Sequence, residues 1–260
     1  MSAIQVAAVG AMAFVALCAA SGRLRFLQSE FATIWRRMTA AGLLVAVLAA
    51  VVFYPTTGAH LTSTVETDEL WFPALFLGHA TLILFLLAWW GLHPTAATGA
   101  LSGTLAHAWS DLRLGTLVGL GGWITTIAVT LTVAVVASLF GVAPTAREDI
   151  PPMMTWLAAL PLGHKLLVIA AAMTVEEAFF RGFLQTRFGL LLSSFLFMLA
   201  HANYGLPFML ISVLTISLLI GRAYQRCGRL LPCVIAHGIF DAIQLLIVLP
   251  WAIRALSSTP

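Results

Sequence analysis

Charged residues are scarce in this sequence. They make up 9% of its 260 residues, whereas apolar residues make up 61%. Soluble domains carry about 25% charged and about 45–50% apolar residues, so this composition excludes an ordinary soluble protein. Each membrane span takes about 20 apolar residues, and the length therefore leaves no room for a large ectodomain beside several spans. We expect a membrane protein that consists almost entirely of its spans.

Lysine and cysteine are also rare. One lysine accompanies twelve arginines, and the cysteines Cys18, Cys227 and Cys233 are odd in number and far apart. The cysteine spacing fits neither a disulfide framework nor a thiolate metal site. The basic residues form no continuous stripe, which argues against a nucleic-acid partner. The preference for arginine over lysine, together with frequent Ala and Leu, is typical of a GC-rich bacterial genome and predicts a bacterial inner membrane protein.

Eight apolar segments are separated by charged residues, proline or glycine. They cover residues 3 to 20, 38 to 54, 71 to 92, 115 to 141, 166 to 186, 190 to 201, 206 to 221 and 230 to 252. The sequence predicts an all-α polytopic fold with about eight transmembrane helices, four in residues 1–150 and four in residues 151–260. The first segment lacks a basic n-region and a cleavage signal, so we expect a retained helix.

The loops differ in charge in a way that predicts orientation. The first, third, fifth and seventh loops carry basic residues, while the second loop is acidic and the fourth is mixed. The acidic residues of the second loop are Glu66, Asp68 and Glu69, and the fourth loop contains Arg147, Glu148 and Asp149. Because basic loops stay in the cytoplasm, eight true crossings would place both termini on the opposite side.

Three clusters of ionisable residues interrupt the apolar segments. Each such group costs about 2.5–3.5 kcal/mol at the centre of a span, so several in one chain need a reason. Glu176, Glu177 and Arg181 lie in the fifth segment, His201 in the sixth, and His237 with Asp241 in the eighth.

Helical spacing predicts how these residues pair. Glu177 and Arg181 are four apart and share a helix face, while Glu176 points about 100° away and is expected to stay unpaired. The same spacing lets Asp241 accept a hydrogen bond from His237 and orient its ring.

Depth gives an independent reason to group these residues. At 1.5 Å per residue, the positions counted from the cytoplasmic helix ends fall roughly 12–18 Å deep, near the middle of the membrane. The residues counted in this way are Glu176, His201, His237 and Asp241. The sixth segment is then too short to cross, and Asn203, Gly205 and Pro207 indicate that it ends at mid-depth beside a cavity.

Four further residues of the spans are interpreted as packing residues. His79 is a lone histidine in the third segment and is interpreted as a packed core residue, and Phe197 as packing for His201. Gly115 and Gly119 form a G-x-x-x-G spacing, which predicts a close approach between helices.

Three short motifs occur in order, each in its own apolar segment: E-E-x-x-x-R from Glu176 to Arg181, F-x-x-x-H from Phe197 to His201, and H-x-x-x-D from His237 to Asp241. Over residues 150 to 255 the sequence resembles the family of CAAX proteases and bacteriocin-processing enzymes, often called CPBP or Abi proteins. The resemblance implies an intramembrane endopeptidase that cuts a membrane-associated protein or peptide near its C-terminus or anchor.

The resemblance also implies roles for individual residues. Glu176 would activate water as general base, and His201 would help to hold that water. His237 and Asp241 would stabilise the oxyanion, with Glu177 and Arg181 supporting the site. Some relatives have Asn where this chain has Asp241, and an ionised carboxylate cannot donate to an oxyanion. Asp241 would then act by keeping His237 charged, so that the ring donates.

Two alternatives remain open from the sequence. Two histidines and one carboxylate suffice for a zinc site with an open position, although three separate helices without H-E-x-x-H spacing favour a site with no metal cofactor. The buried polar groups also fit a non-enzymatic immunity or transport protein, or an enzyme that couples cleavage to transfer of a C-terminal anchor. The sequence does not indicate the oligomeric state.

Overall fold

The computed structural model describes residues 2–57, 71–93, 107–141, 151–204 and 206–257. Within these ranges the chain forms helices joined by short turns and contains no strand, which confirms the all-α class. Several residues used in the orientation argument lie outside the described part. They are Glu66, Asp68, Glu69, Arg147, Glu148 and Asp149, and His60 and Gly205 lie outside it as well.

Ten helices follow one another along the described chain. They are α1 (Ala3–Ala20), α2 (Phe26–Glu30), α3 (Ile34–Thr56), α4 (Phe72–Leu92), α5 (Ala108–Leu139), α6 (Pro152–Ala159), α7 (Leu162–Phe188), α8 (Leu190–Tyr204), α9 (Pro207–Cys227) and α10 (Leu230–Ala255). Among the described residues six helices are long and apolar enough to cross a membrane, and a seventh span results if α6 and α7 count as one. The chain is therefore a multi-pass membrane protein, and the predicted count of about eight spans is not confirmed by the part of the chain that the structure describes.

A sharp break at Pro161 separates α6 from α7. The two helix axes differ in direction by 114°. Leu160 has extended backbone angles, φ −55° and ψ 142°, because the ring of a following proline disfavours the helical conformation. The fifth predicted segment, 166 to 186, therefore lies within α7, and α6 is an additional helix that the sequence interpretation missed.

The helix α7 is wider than an ordinary α-helix where it carries the acidic pair. Residues Ala172–Glu176 and Ala178–Gln185 are π-helical, and so is Gln244–Val248 in α10. The π-helix is rare and is found frequently at functional sites, where its extra residue per turn redirects side chains. In this chain the widened stretches include Glu176 and directly flank Glu177.

Aromatic packing joins the N-terminal helices to α7. Phe85 on α4 lies edge-on to Phe179 and Phe183, with ring centroids 5.5 and 4.9 Å apart. Glu30 on α2 forms an ion pair of 2.9 Å with Arg187 near the end of α7. The aromatic contacts hold α4, and the ion pair holds α2, against the helix that carries the acidic pair.

Glycines let α5 approach α10 closely. A Cβ atom on Gly115 would lie 2.8 Å from the carbonyl oxygen of Pro232, and one on Gly119 would lie 2.9 Å from that of Ala236. Only glycine leaves room for such contacts with another backbone. The close approach predicted from the G-x-x-x-G spacing is confirmed. It holds α10 against α5 next to His237.

Candidate active site

A cavity of about 340 Å³ lies among α4, α6, α7, α8, α9 and α10. The ionisable residues Glu176, His201, His237 and Asp241 all line it, and Phe197 contributes to the same wall. Residues from three separate sequence segments thus meet in one place. A more open groove of about 610 Å³, beside Arg23 and Gln225, contains none of them.

Glu176 faces the cavity and is not unpaired, contrary to the expectation from helical spacing. Its Oε1 atom lies 3.1 Å from Nε2 of His79, at hydrogen-bond distance. Its Oε2 atom lies 3.9 Å from Nε2 of His201 and has no hydrogen-bond partner among the described residues. One oxygen of the carboxylate is therefore held by a histidine, while the other is buried and faces His201 without a hydrogen bond to it.

The interpretation of His79 as a packed core residue was wrong. Its other ring nitrogen, Nδ1, lies 3.2 Å from the carbonyl oxygen of Leu75, one helical turn earlier. His79 occupies the same face of α4 as the buried Leu82 and Leu86, so the face that packs on the bundle is also the face that reaches Glu176. The position of His79 in the middle of an apolar span was the signal that could have identified it.

His201 ends the regular part of α8, and one contact sets its tautomer. Nδ1 lies 2.8 Å from the carbonyl oxygen of Phe197. A carbonyl oxygen only accepts, so Nδ1 donates its hydrogen. In the neutral ring Nε2 then carries a lone pair, and this atom is directed toward Glu176. Phe197 also packs on the ring, with the centroids 4.6 Å apart, as the sequence predicted.

Glu177 and Arg181 form the predicted ion pair, and both side chains are fully buried. Nε of Arg181 lies 3.1 Å from Oε2 of Glu177. The guanidinium also stands over the ring of Phe197, 4.9 Å from its centroid, which is within the range of a cation–π contact. Phe197 thus contacts both Arg181, which does not line the cavity, and His201, which does.

His237 connects the buried pair to the cavity. Its Nδ1 atom lies 2.8 Å from Oε1 of Glu177, and its Nε2 atom lies 3.3 Å from Oδ2 of Asp241. The contact with Asp241 was predicted from spacing, whereas the contact with Glu177 crosses between helices and was not. Two carboxylates on opposite sides of one imidazole favour the ring that donates from both nitrogens.

The charges of this cluster balance. Glu176, Glu177 and Asp241 contribute three negative charges, and Arg181 contributes one positive charge. Protonated rings at His79 and His237, each between two acceptors, bring the sum to zero. Neutral clusters are far less costly to bury than isolated ions. The hydrogen-bond pattern therefore explains how so many charges fit inside a membrane protein.

Sequence reasoning also missed two polar residues of the cavity wall, Tyr204 and Gln244. Tyr204 stacks on His201, with ring centroids 5.8 Å apart and an angle of 23° between the planes. Gln244 lies one turn after Asp241, at the start of the π-helical stretch of α10. Neither residue belongs to a motif. Each follows a motif residue by three positions, Tyr204 after His201 and Gln244 after Asp241, and only this helical spacing could have indicated them.

The donor set of the cavity is unfavourable for zinc. A metal ligand must offer a lone pair, yet both ring nitrogens of His237 face carboxylates and Nδ1 of His201 donates to a backbone carbonyl. Within the described ranges no group of three or more His, Cys, Asp or Glu side chains has an arrangement that could hold a metal ion. Independence from metal remains a prediction.

Comparison with known proteins gives a family for part of the chain. Residues 158–243 match the family model described as Type II CAAX prenyl endopeptidase Rce1-like, in agreement with the resemblance that the motifs indicated. The match contains Glu176, Glu177, Arg181, His201, His237 and Asp241, but not His79.

A curated relative matches over a shorter stretch. The chain is 42% identical over 78 residues to YpbD, an uncharacterised protein of Bacillus subtilis (strain 168). The aligned residues make up 30% of this chain and 40% of the relative, so the chain spans two fifths of the length of that relative. No solved structure matches significantly.

Proposed function

We propose that this protein is an intramembrane endopeptidase that hydrolyses a peptide bond with water activated by Glu176. The observation that carries the proposal is that Oε2 of Glu176 and Nε2 of His201 face each other across a gap of 3.9 Å with no hydrogen bond between them, and that both residues line the cavity inside the bundle. The match of residues 158–243 to an endopeptidase family supports the same reaction.

The first step is the attack of water. A water molecule in the gap donates one hydrogen to Nε2 of His201 and the other to Oε2 of Glu176, which leaves an oxygen lone pair directed at the substrate. Glu176 accepts the proton as the water oxygen bonds to the carbonyl carbon, and the carbonyl electron pair moves to its oxygen. The product of this step is a tetrahedral oxyanion beside a protonated Glu176.

His237 is placed to stabilise this oxyanion. Its Nδ1 is committed to Glu177, and its Nε2 lies on the cavity wall with Asp241 at 3.3 Å. Asp241 acts by favouring the charged ring, and the Nε2–H then donates to the developing negative charge. A donor fixed in advance, here through the contact of Nδ1 with buried Glu177, is the arrangement that stabilises an oxyanion most effectively.

The second step breaks the peptide bond. The oxyanion reforms a carbonyl group as the C–N bond breaks, and Glu176 returns its proton to the leaving nitrogen. The products are a new carboxyl terminus and a new amino terminus, and Glu176 is again ionised. Glu176 thus acts first as base and then as acid, without a metal cofactor.

The remaining walls of the cavity indicate the kind of substrate. Apolar side chains form most of the lining, including Met154 on α6, Val213 on α9 and Val248 on α10. Such walls fit a peptide segment with apolar side chains, taken from a protein or peptide in the bacterial inner membrane. Cleavage near a C-terminus or membrane anchor follows from the family resemblance.

The test compares protein termini in membranes from cells that carry the wild type or Glu176→Gln. This change removes the base at nearly constant volume, so we expect activity to fall on the order of 10²–10⁴-fold. New N- and C-termini should appear with the wild type and be missing with Glu176→Gln. Glu30→Gln is the matched control, because Glu30 pairs with Arg187 outside the cavity, and it should keep the new termini.

The outcome also separates the alternatives. A product whose new carboxyl end is joined to another amine would indicate transfer in place of hydrolysis. If Glu176→Gln folds normally and the termini of all three proteins agree, the protease proposal is wrong and an immunity or transport role takes its place.

A further inference from the structure

We propose that His79 is a positioning residue for Glu176: it fixes the orientation of the carboxylate and directs Oε2 toward the water. The inference rests on the proposed function, and it adds a residue that lies 79 residues before the start of the segment matched by the family model, on a different helix. The site would then need α4 as well as α7, α8 and α10.

The two contacts of the imidazole argue for this role. Nδ1 donates to the carbonyl oxygen of Leu75 at 3.2 Å, and Nε2 lies 3.1 Å from Oε1 of Glu176. The backbone contact fixes the ring, because Leu75 and His79 lie one turn apart on the same helix. A ring held at one nitrogen presents the other in a fixed direction, which is how oriented partners raise the effectiveness of a catalytic group.

The proton between Nε2 and Oε1 gives His79 a second effect. Both atoms cannot be bare acceptors at this distance, so one proton lies between them. When it resides on His79, the ring is cationic and offsets the charge of Glu176 in the membrane interior. With the proton on His79, Glu176 is ionised, Oε1 accepts from the ring, and Oε2 is left to accept a proton from water.

A residue that merely fills space would not need these contacts. The side chains of His79 and Glu176 are 15% and 14% exposed, so the contact lies at the edge of the cavity and not in the apolar core. The ring of the neighbouring Phe76 has its centroid 6.1 Å from that of His79, whereas the two hydrogen bonds of the imidazole are 3.1 and 3.2 Å long. The geometry assigns His79 to the chemistry of the cavity.

The kinetic test uses a graded series at position 79. His79→Gln keeps a donor without a titrating ring, and His79→Leu removes the donor. We expect kcat to fall on the order of 10-fold for His79→Gln and 100-fold for His79→Leu, with KM within about twofold. His164→Gln is the control: His164 packs on Phe72 at 4.1 Å and is not part of the cavity lining, so kcat should not change. The substrate is the one identified by the comparison of termini.

A spectroscopic test does not depend on activity. Nitrogen-15 NMR of ring-labelled histidine in purified wild-type protein should show two rings protonated at both nitrogens, those of His79 and His237, and the His79 signal is the one that should vanish in His79→Gln. In Glu176→Gln the same ring should become neutral, because the carboxylate charge is gone. The signal thus reports the contact even if the protein is not a protease.

Two results would overturn the assignment. Equal kcat in His79→Leu and the wild type, with Glu176→Gln inactive, would leave the protease proposal intact and remove His79 from it. A His79 signal that is identical in the wild type and in Glu176→Gln would show that the two side chains do not interact. Inactivity of the wild type on every membrane protein would instead count against the proposed function alone.

Discussion

Two neighbouring carboxylates of α7 have opposite surroundings. Glu177 forms a closed layer with Arg181, and neither side chain has any exposed surface. Glu176 forms an open layer with His79, His201 and Asp241, whose side chains are 14% to 26% exposed along the cavity. His237 touches both layers. The difference shows that two consecutive residues of a helix can differ in this way, one charge holding the structure together and the other facing the cavity.

The largest expected effect comes from breaking the closed layer. Arg181→Met removes one of the two cations that face buried Glu177 and leaves the cluster with a net negative charge, so we expect a loss of about 3–5 kcal/mol in the free energy of unfolding. Thermal unfolding of the purified protein in detergent measures it. The double variant Glu177→Gln/Arg181→Met replaces the whole pair and should recover part of the loss. A double variant no more stable than Arg181→Met would contradict the view that the unpaired charge causes the damage.

A substitution in α5, at the point where α5 packs on the residue next to His237, tests whether the position of α10 matters for stability and activity. Gly119→Ala puts a methyl group 2.9 Å from the carbonyl oxygen of Ala236, and we expect a loss of about 1–3 kcal/mol from overpacking together with reduced kcat. Unfolding and turnover are measured on the same preparation. Gly121→Ala is the matched control, since a Cβ there meets nothing within 4 Å. Equal behaviour of the two variants would mean that α5 does not restrain α10.

The open layer should tolerate the loss of a charge better than the closed layer. In Asp241→Asn the side-chain oxygen can still accept from His237, and the amide adds a donor toward the oxyanion. We expect kcat/KM within about 10-fold of the wild type and unchanged unfolding, because water reaches this side chain. Asp241→Leu should cost more activity. A collapse of folding in Asp241→Asn would place Asp241 in the closed layer.

The smallest effect is expected from metal removal. The proposed mechanism uses no metal cofactor, so dialysis against a strong zinc chelator should leave turnover unchanged. The assay compares the chelated enzyme with an aliquot to which zinc is restored. A loss of activity that zinc reverses would make Glu176 and the histidines ligands and would remove the general-base mechanism.

The sequence predicted contacts within a helix better than contacts between helices. Residues four apart in one helix are neighbours by geometry alone, and the pairs Glu177–Arg181 and His237–Asp241 are both present. His79 and Glu176 are 97 positions apart, and no spacing rule connects them. The hydrogen bond between Glu177 and His237 was missed for the same reason.

The fold was predictable to a similar degree. Hydropathy located the long helices, because a span must be apolar over its whole length. It did not locate α6, whose eight residues are too few to show a membrane-spanning pattern. It also placed α8 among the eight apolar segments, since α8 is apolar throughout; among the described residues α8 is shorter than the helices that could cross a membrane.

The balance of charges in the cluster bears on the membrane potential. An elementary charge moved across a potential of 100 mV gains or loses about 2.3 kcal/mol, which is enough to drive a voltage sensor. The three carboxylates, the guanidinium and two protonated imidazoles sum to zero, so the field exerts almost no net force on the cluster as a whole. Turnover should therefore be the same in energised vesicles and in vesicles whose potential has been collapsed by an ionophore.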